Sequence, residues 1–243
     1  REEIEEMANS MPEIKYRQEI LAEFLDDGGV VFRGLNEVMN SKPEEPKEGE
    51  FYVIGIDLGR HEDFTVIEVG KMSTASEVYS ERFNKTDWDY IKERIRSVHK
   101  MYNNATLLID STGFGDPIYE DLGKEGLAIH GIVLNTSTKP KIIENLQLMI
   151  ENRQISLIPS EEKSIEFGAY TYTVMPSGHV KYEAPRGFHD DIVIAVALMA
   201  YGLIGSGGTT LGKIQEIPSS EETGNYDEMP RYVNWDDPGE REW

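Results

Sequence analysis

The sequence predicts an α/β domain built on a mixed sheet, with three antiparallel strands, then parallel strands, and helices on the flanks. Three observations carry that expectation. After the mostly apolar "FYVIGIDL", the segments "FTVIEVGK" and "SEVYSERF" alternate apolar and polar residues. Strand-like and helix-like segments then alternate along the chain. The last core segment, "GFHDDIVIAVALMAYGLI", is apolar on every side after its first turn.

Taken in order, "FYVIGIDL" reads as a buried strand, and the two alternating segments complete a meander with one face toward water. "TDWDYIKERIRSVHKMYN" is a helix: Trp88, Ile91, Ile95, Val98 and Tyr102 keep helical spacing, and Thr86 and Asp89 form a capping-box pattern. "ATLLIDS" is a strand, "DPIYEDLGKE" a short helix after a glycine-rich turn, and "AIHGIVL" another strand. "KPKIIENLQLMIEN" is a helix with Pro140 in its first turn. The order so far is β-β-β-α-β-α-β-α. A short strand "QISLI", a helical piece around "EEKSIEFGAY" and a hairpin "YTYTVMPSGHVKYEA" turning at Ser177-Gly178 come next. The final apolar helix must pack on the sheet, and its two aspartates stand at its start, where the helix dipole tolerates negative charge.

Residues 51–205 form the expected domain. Before it, residues 1–50 hold an amphipathic stretch, "YRQEILAEFL", and the acidic, proline-containing "NSKPEEPKEGE", which reads as an exposed linker with a boundary near Glu50. A start at Arg1 rather than methionine suggests a fragment of a longer chain. After the hinge "IGSGGTTLG", residues 206–243 read as a flexible acidic tail. Its Tyr226, Tyr232, Trp235 and Trp243 are either partner anchors or simply solvated.

The chain has no cysteine, so disulfides and thiolate metal sites are excluded and any chemistry uses oxygen or imidazole ligands. No apolar run reaches the roughly 18 to 20 residues of a membrane span, so no membrane association is expected. A formal net charge of -21 argues at first against a nucleic-acid partner. Its distribution weakens the objection: residues 1–50 carry -8 and residues 206–243 carry -6, leaving -7 for the middle 155 residues.

Three acidic positions interrupt apolar runs and so belong to the rim of a core: Asp57 ending the first strand, Asp110 ending "LLID", and Asp190-Asp191 opening the last helix. A carboxylate there costs several kcal/mol in desolvation unless it is paired or bound to a cation. No local Arg or Lys partner is evident for any of them, which favours a cation. Hard divalent ions take oxygen ligands, and aspartates from two strands and a helix suit two such ions about 4 Å apart, the arrangement used for in-line attack on phosphodiesters. Taken singly, each position has a plainer reading. The aspartate of "IDLG" caps a tight turn as readily as it binds metal, "IDSTGFG" reads as a turn or half of a phosphate loop, and "HDD" as a helix N-cap with a dipole-matched neighbour. Their joint occurrence on this order of elements is far more specific.

With these residues in place, the sequence resembles a known family. The order of elements and the acids on the first strand, the fourth strand and the last helix resemble the RNase H-like (retroviral integrase) nuclease fold. More narrowly, "YVIGIDLGRHEDFTVIEV", "LLIDSTGFGDPI" and "GFHDDIVIAVALMA" resemble the nuclease domain of the large terminase subunit of tailed bacteriophages. The resemblance covers about residues 50 to 205 and extends weakly into "MPEIKYRQEILAEF", similar to the segment that joins that family's ATPase motor to its nuclease. It implies an Mg²⁺- or Mn²⁺-dependent endonuclease that cuts concatemeric viral double-stranded DNA during genome packaging, with two ions. The implied ligands are Asp57, Asp110 and the Asp190-Asp191 pair, Asp191 preferred and Asp190 kept. The implied partners are the ATPase domain of the same polypeptide, the portal and the small terminase subunit. The implied location is the host bacterial cytoplasm, transiently at the capsid portal. No G-x-x-x-x-G-K-[ST] loop is present, so ATP-driven translocation is not expected in this chain.

Candidate DNA contacts are Arg60, Lys139, Lys141, Lys181 and Arg186, which are equally well read as ordinary surface charges. His61 and His189 flank proposed ligands and read as bystanders. Glu62 and Asp63 are left without a role. A Holliday-junction resolvase or transposase of the same fold is the nearest alternative. The turns "IGIDLG" and "DSTGFG" also resemble those of the actin and sugar-kinase superfamily, but that architecture duplicates the fold and 155 core residues leave no room for a second copy. A catalytically dead scaffold docking through the acidic ends is a third reading.

Overall fold

A computed structural model describes residue 12 and residues 29–59, 64–84, 87–113, 115–175 and 180–205. The elements run β1 (Gly29–Val30), α1 (Leu35–Val38), β2 (Tyr52–Asp57), β3 (Thr65–Lys71), β4 (Ser76–Phe83), α2 (Trp88–Met101), β5 (Thr106–Asp110), α3 (Gly115–Lys124) and β6 (Ile129–Ile132). There follow α4 (Thr138–Glu151), α5 (Glu161–Ala169), β7 (Thr171–Val174), β8 (Val180–Glu183) and α6 (Asp191–Gly205).

The main sheet has the strand order β4-β3-β2-β5-β6, with β3 antiparallel to both neighbours and β2, β5 and β6 parallel. This is the expected mixed sheet. Successive side chains of a strand point to opposite faces, and here both faces are covered. Ile54, Ile56, Ile67 and Ile109 face α2 and α3, where they meet Ile91, Ile95 and Leu122. Val53, Val66 and Leu108 face α4 and α6, where they meet Ile143, Leu146 and Val193. β2 is the middle strand of the five, which is why it reads as an unbroken apolar run. β1, β7 and β8 make a separate antiparallel sheet.

Three expectations change. β3 has no wet face: all seven residues are buried, and the polar alternate Glu68 points at a buried lysine rather than at solvent. "QISLI" is not a strand. It meets β4 in a single bridge between Ser76 and Ser156, with the Glu77 N–H donating to the Ser156 carbonyl at 2.8 Å, and then leaves to enter α5, whose N-cap is Ser160. The cap of α2 is Asp87, whose Oδ1 accepts from the N–H groups of Asp89 (2.9 Å) and Tyr90 (3.3 Å); Thr86 lies outside the described residues. Asp87→Ala is therefore expected to destabilise the domain by about 1 kcal/mol in urea denaturation, with no change in any activity.

Residues 29–50 lie against this domain. Val31, Phe32 and Val38 are in its core. The acidic stretch after them exposes most of its side chains but is fastened by its backbone: the Glu44 N–H donates to Val78 O, Tyr102 Oη to Glu44 O, and Asn103 Nδ2 to Lys47 O. Among the described residues no helix is long and apolar enough to cross a membrane. The amphipathic stretch at 16–25, the hairpin turn at Ser177-Gly178 and residues 206–243 lie outside the described residues.

Candidate functional site

Strand register brings the first two aspartates together. β2 and β5 run parallel with Ile56 beside Ile109, so the next residues, Asp57 and Asp110, end adjacent strands at the same level. Neighbouring strands lie about 4.8 Å apart. Asp57 shares a face with Val53 and Gly55, and Asp110 with Leu108, so both turn toward the layer that holds α6.

Glycines set how closely that layer approaches. A Cβ at Gly55 would lie 2.1 Å from the Ala195 carbonyl oxygen and 2.4 Å from the Met199 backbone nitrogen. A Cβ at Gly202 would lie 2.4 Å from Val53 Cγ1 and 2.7 Å from Leu108 Cδ1. α6 thus rests almost backbone to backbone on β2. Asp191 stands about one turn before Ala195, over the strand ends that carry Asp57 and Asp110.

The electrostatics agree with this convergence. Burial, then the charges of Asp110, Asp191 and Asp190, raise the Asp57 carboxyl well above the ordinary aspartate range. Burial also raises Asp110, against the opposing pull of hydrogen bonds from Thr112. Three of the four carboxylates rest on protein donors. The Thr112 N–H donates to Asp110 Oδ1 at 2.8 Å, and the Phe64 N–H to Asp191 Oδ2 at 3.3 Å. Lys139 Nζ donates to Asp190 Oδ2 at 3.2 Å. Among the described residues no hydrogen bond reaches the Asp57 carboxylate.

The donor set is all carboxylate oxygen, so by donor type these residues fit Mg²⁺ or Mn²⁺. Among the described residues no three acidic or imidazole groups stand close enough to hold one ion as they are placed. Asp57, Asp110 and Asp191 would hold such an ion, and a carboxylate that accepts one N–H keeps further lone pairs for a cation.

The expected DNA contacts separate into two kinds. Lys139 and Lys181 are already in ion pairs, Lys139 with Asp190 and Lys181 with Glu183 at 2.7 Å. The partner of Asp190 that was not evident locally thus comes from 51 residues away, in the first turn of α4. Lys141 and Arg186 are exposed and in no ion pair among the described residues. Arg60, His61, Glu62 and Asp63 lie outside the described residues. His189 is half exposed, with Nδ1 3.6 Å from Asp191 Oδ2 and its ring edge-on to Phe64.

Sequence reasoning missed four residues around the head of α6. Glu166 accepts from the Ile192 N–H at 2.8 Å and from Arg82 Nη2 at 3.4 Å, and the Arg82 guanidinium lies 3.4 Å from the Phe64 ring centroid. Tyr170 is fully buried near Asp190 and Asp57, and its hydroxyl has no partner among the described residues. The available signal was that Lys163, Glu166 and Phe167 fall on one face of the helix "EEKSIEFGA".

Sheet order and the placement of the acids together define an α/β domain of the RNase H-like nuclease fold. Within that class the chain is similar, in sequence and in fold, to the nuclease domains of large terminase subunits of thermophilic phages. Over 220 residues it is 29% identical to the large terminase subunit of Thermus virus P23-45, and equally to that of Thermus phage G20c. The match takes in 86% of this chain and 45% of each relative, so the chain spans less than half the length of those curated proteins. The crystal structure of the G20c large terminase nuclease aligns with a TM-score of 0.66 at 26% identity, covering 71% of this chain and 97% of that one. The same nuclease with bound magnesium aligns at 0.65 and 27%, covering 70% and 96%. No protein-family model matches the chain.

Proposed function

We propose that this chain is the nuclease part of a large terminase subunit, which hydrolyses phosphodiester bonds of viral double-stranded DNA during genome packaging, using Mg²⁺ or Mn²⁺. The observation that carries the reading is the level pairing of Asp57 and Asp110 on adjacent parallel strands beneath the acidic head of α6, in a domain similar to nucleases one of which was crystallised with magnesium. Asp57, Asp110 and Asp191 are the proposed ligands, with Asp190 beside them.

The residues divide the work. Asp57, with no hydrogen bond from a described residue, keeps its oxygens open toward a ligand. The Thr112 and Phe64 N–H groups orient Asp110 and Asp191. Lys139 neutralises Asp190 and stands where a phosphate near the strand ends can share its charge. Bound at such carboxylates, divalent ions lower the pKa of an attacking water and stabilise the leaving oxygen. The proposed partners are double-stranded DNA, an ATPase domain in the same polypeptide reached through residues 1–50, the portal and the small terminase subunit. The proposed setting is the host cytoplasm.

The test is plasmid cleavage by the chain in Mg²⁺, in Mn²⁺ and in chelator. Cutting with either ion and none in chelator is expected, and unchanged cutting by both Asp57→Ala and Asp110→Ala sinks the reading. A second measurement addresses the DNA contacts. Lys141→Ala and Arg186→Ala are each expected to lower the slope of log affinity against log salt by about 1. Slopes equal to wild type assign both residues to the ordinary surface.

A further inference from the structure

α5 is an unusual helix in what it buries. Its inward residues Lys163, Glu166 and Phe167 include two charges, each at most 4% exposed. Lys163 reaches back into the sheet, 2.5 Å from Glu77 and 3.4 Å from Glu68. Glu166, about one turn on, reaches forward to α6, where its Oε2 accepts from the Ile192 N–H at 2.8 Å. The helix therefore fastens the β3–β4 side of the sheet to the first turn of α6.

That contact caps the helix end from a distance: the Ile192 N–H lies in the first turn of α6, where no intrahelical carbonyl reaches it. Asp190, just before α6, accepts the Ile194 N–H on its carbonyl at 2.9 Å and Lys139 Nζ on its carboxylate, so the Ile192 N–H is left to Glu166. Side-chain caps are ordinarily local, from Ser, Thr, Asn or Asp at the boundary itself. Here a carboxylate comes from 26 residues away and is buried next to Asp191, a like charge that opposes it. Its second oxygen is taken by Arg82, whose guanidinium also lies on the Phe64 ring, and the Phe64 N–H donates to Asp191 Oδ2. Two short paths thus lead from Glu166 to Asp191, one through the adjoining peptide and one through Arg82 and Phe64.

We propose that Glu166 is a positioning residue for the carboxylate site. It fixes the Ile192 peptide, and so holds Asp191 aimed at the strand ends that carry Asp57 and Asp110. The inference rests on the metal-binding reading of that site. What it requires of Glu166 is an acceptor oxygen at the reach of a glutamate side chain, not a negative charge.

The experiment measures Mn²⁺ affinity by titration calorimetry on the full 243-residue chain. It compares wild type, Glu166→Gln, Glu166→Asp, Glu166→Ala and Asp57→Ala, well below melting, with folding checked by circular dichroism. Glu166→Gln keeps an acceptor for the Ile192 N–H at the same reach but turns its NH2 toward Arg82, and is expected to lose clearly less affinity than Glu166→Asp. Glu166→Asp keeps the charge but is one methylene short, and is expected to lose affinity about 10- to 100-fold, as is Glu166→Ala. If Glu166→Ala does not fold, Glu166→Asp and Glu166→Gln decide. Wild-type affinity in Glu166→Asp overturns the inference, and so does equal weakening in Glu166→Gln and Glu166→Asp. A wild type that binds no Mn²⁺, or an Asp57→Ala that binds like wild type, overturns the metal reading itself. Loss in Asp57→Ala with no loss in Glu166→Asp overturns this inference alone.

Discussion

Asp57→Asn is expected to cut plasmid DNA roughly 10³-fold more slowly than wild type, and at the same time to melt at a higher temperature in metal-free buffer. The first effect follows from removing a proposed ligand. Metal stabilisation of the transition state is worth several kcal/mol, and each 1.36 kcal/mol is a factor of ten in rate. The second follows from the surroundings of the carboxylate: it is half-buried, faces three other aspartates, and accepts no hydrogen bond from a described residue. Partial desolvation and repulsion from three like charges cost on the order of 1 kcal/mol, and the neutral amide removes the repulsion. The sign of the pH dependence is fixed by the direction of the shift. The folded-state pKa is raised, so the favourable contribution of this group is fully present below its unfolded value and is lost as pH rises through the folded one. The gain in melting temperature of Asp57→Asn should therefore be largest above that folded value and shrink on acidification. A variant that loses cleavage and also loses stability at all pH values would show Asp57 to be structural.

Lys163→Met is expected to be the most destabilising single substitution of a charged residue outside the site, by about 3 to 5 kcal/mol in urea denaturation. Lys163 is 1% exposed between Glu68 and Glu77, both completely buried, and one Glu68 oxygen has no hydrogen-bond partner among the described residues. Burial and the neighbouring Glu77 already raise the Glu68 carboxyl well above the ordinary range. For Lys163, burial works against the charged form, but the two glutamates outweigh it and its pKa is raised. Taking away the cation leaves two carboxylates facing each other in the core. Adding Glu68→Gln to Lys163→Met should recover part of the loss by removing one of those charges. A loss below 1 kcal/mol for the single variant would mean that the cluster is hydrated or protonated in solution.

Much of the fold was legible because its signals are local. β2 is apolar on both faces, α2 keeps its period over many residues, α6 is apolar all round, and the acids stand where apolar runs stop. What sequence could not supply were partners distant along the chain. The alternation in "FTVIEVGK" looks the same whether Glu68 meets water or a lysine 95 residues later, and it meets the lysine. "QISLI" has strand composition, but it finds an edge to pair with for one residue only. The carboxylates themselves were visible from their positions. Lys139, Glu166, Arg82 and Phe64 were not seen as their neighbours, because they come from four separate elements and connections.

One glycine beneath α6 and one within it act as keyways. Gly55 receives the helix backbone at Ala195 and Met199, and Gly202, seven residues beyond Ala195, receives Val53 and Leu108. A shaft seated in two slots can neither turn nor slide, so the angular setting of Asp191 is indexed to the sheet rather than left to its own loop. One residue inserted between Asp191 and Ala195 would leave both slots engaged and still swing the carboxylate by about 100°. A domain with an intact core and a misdirected acid would be the result, and this part of the chain should tolerate substitution far better than any change in length.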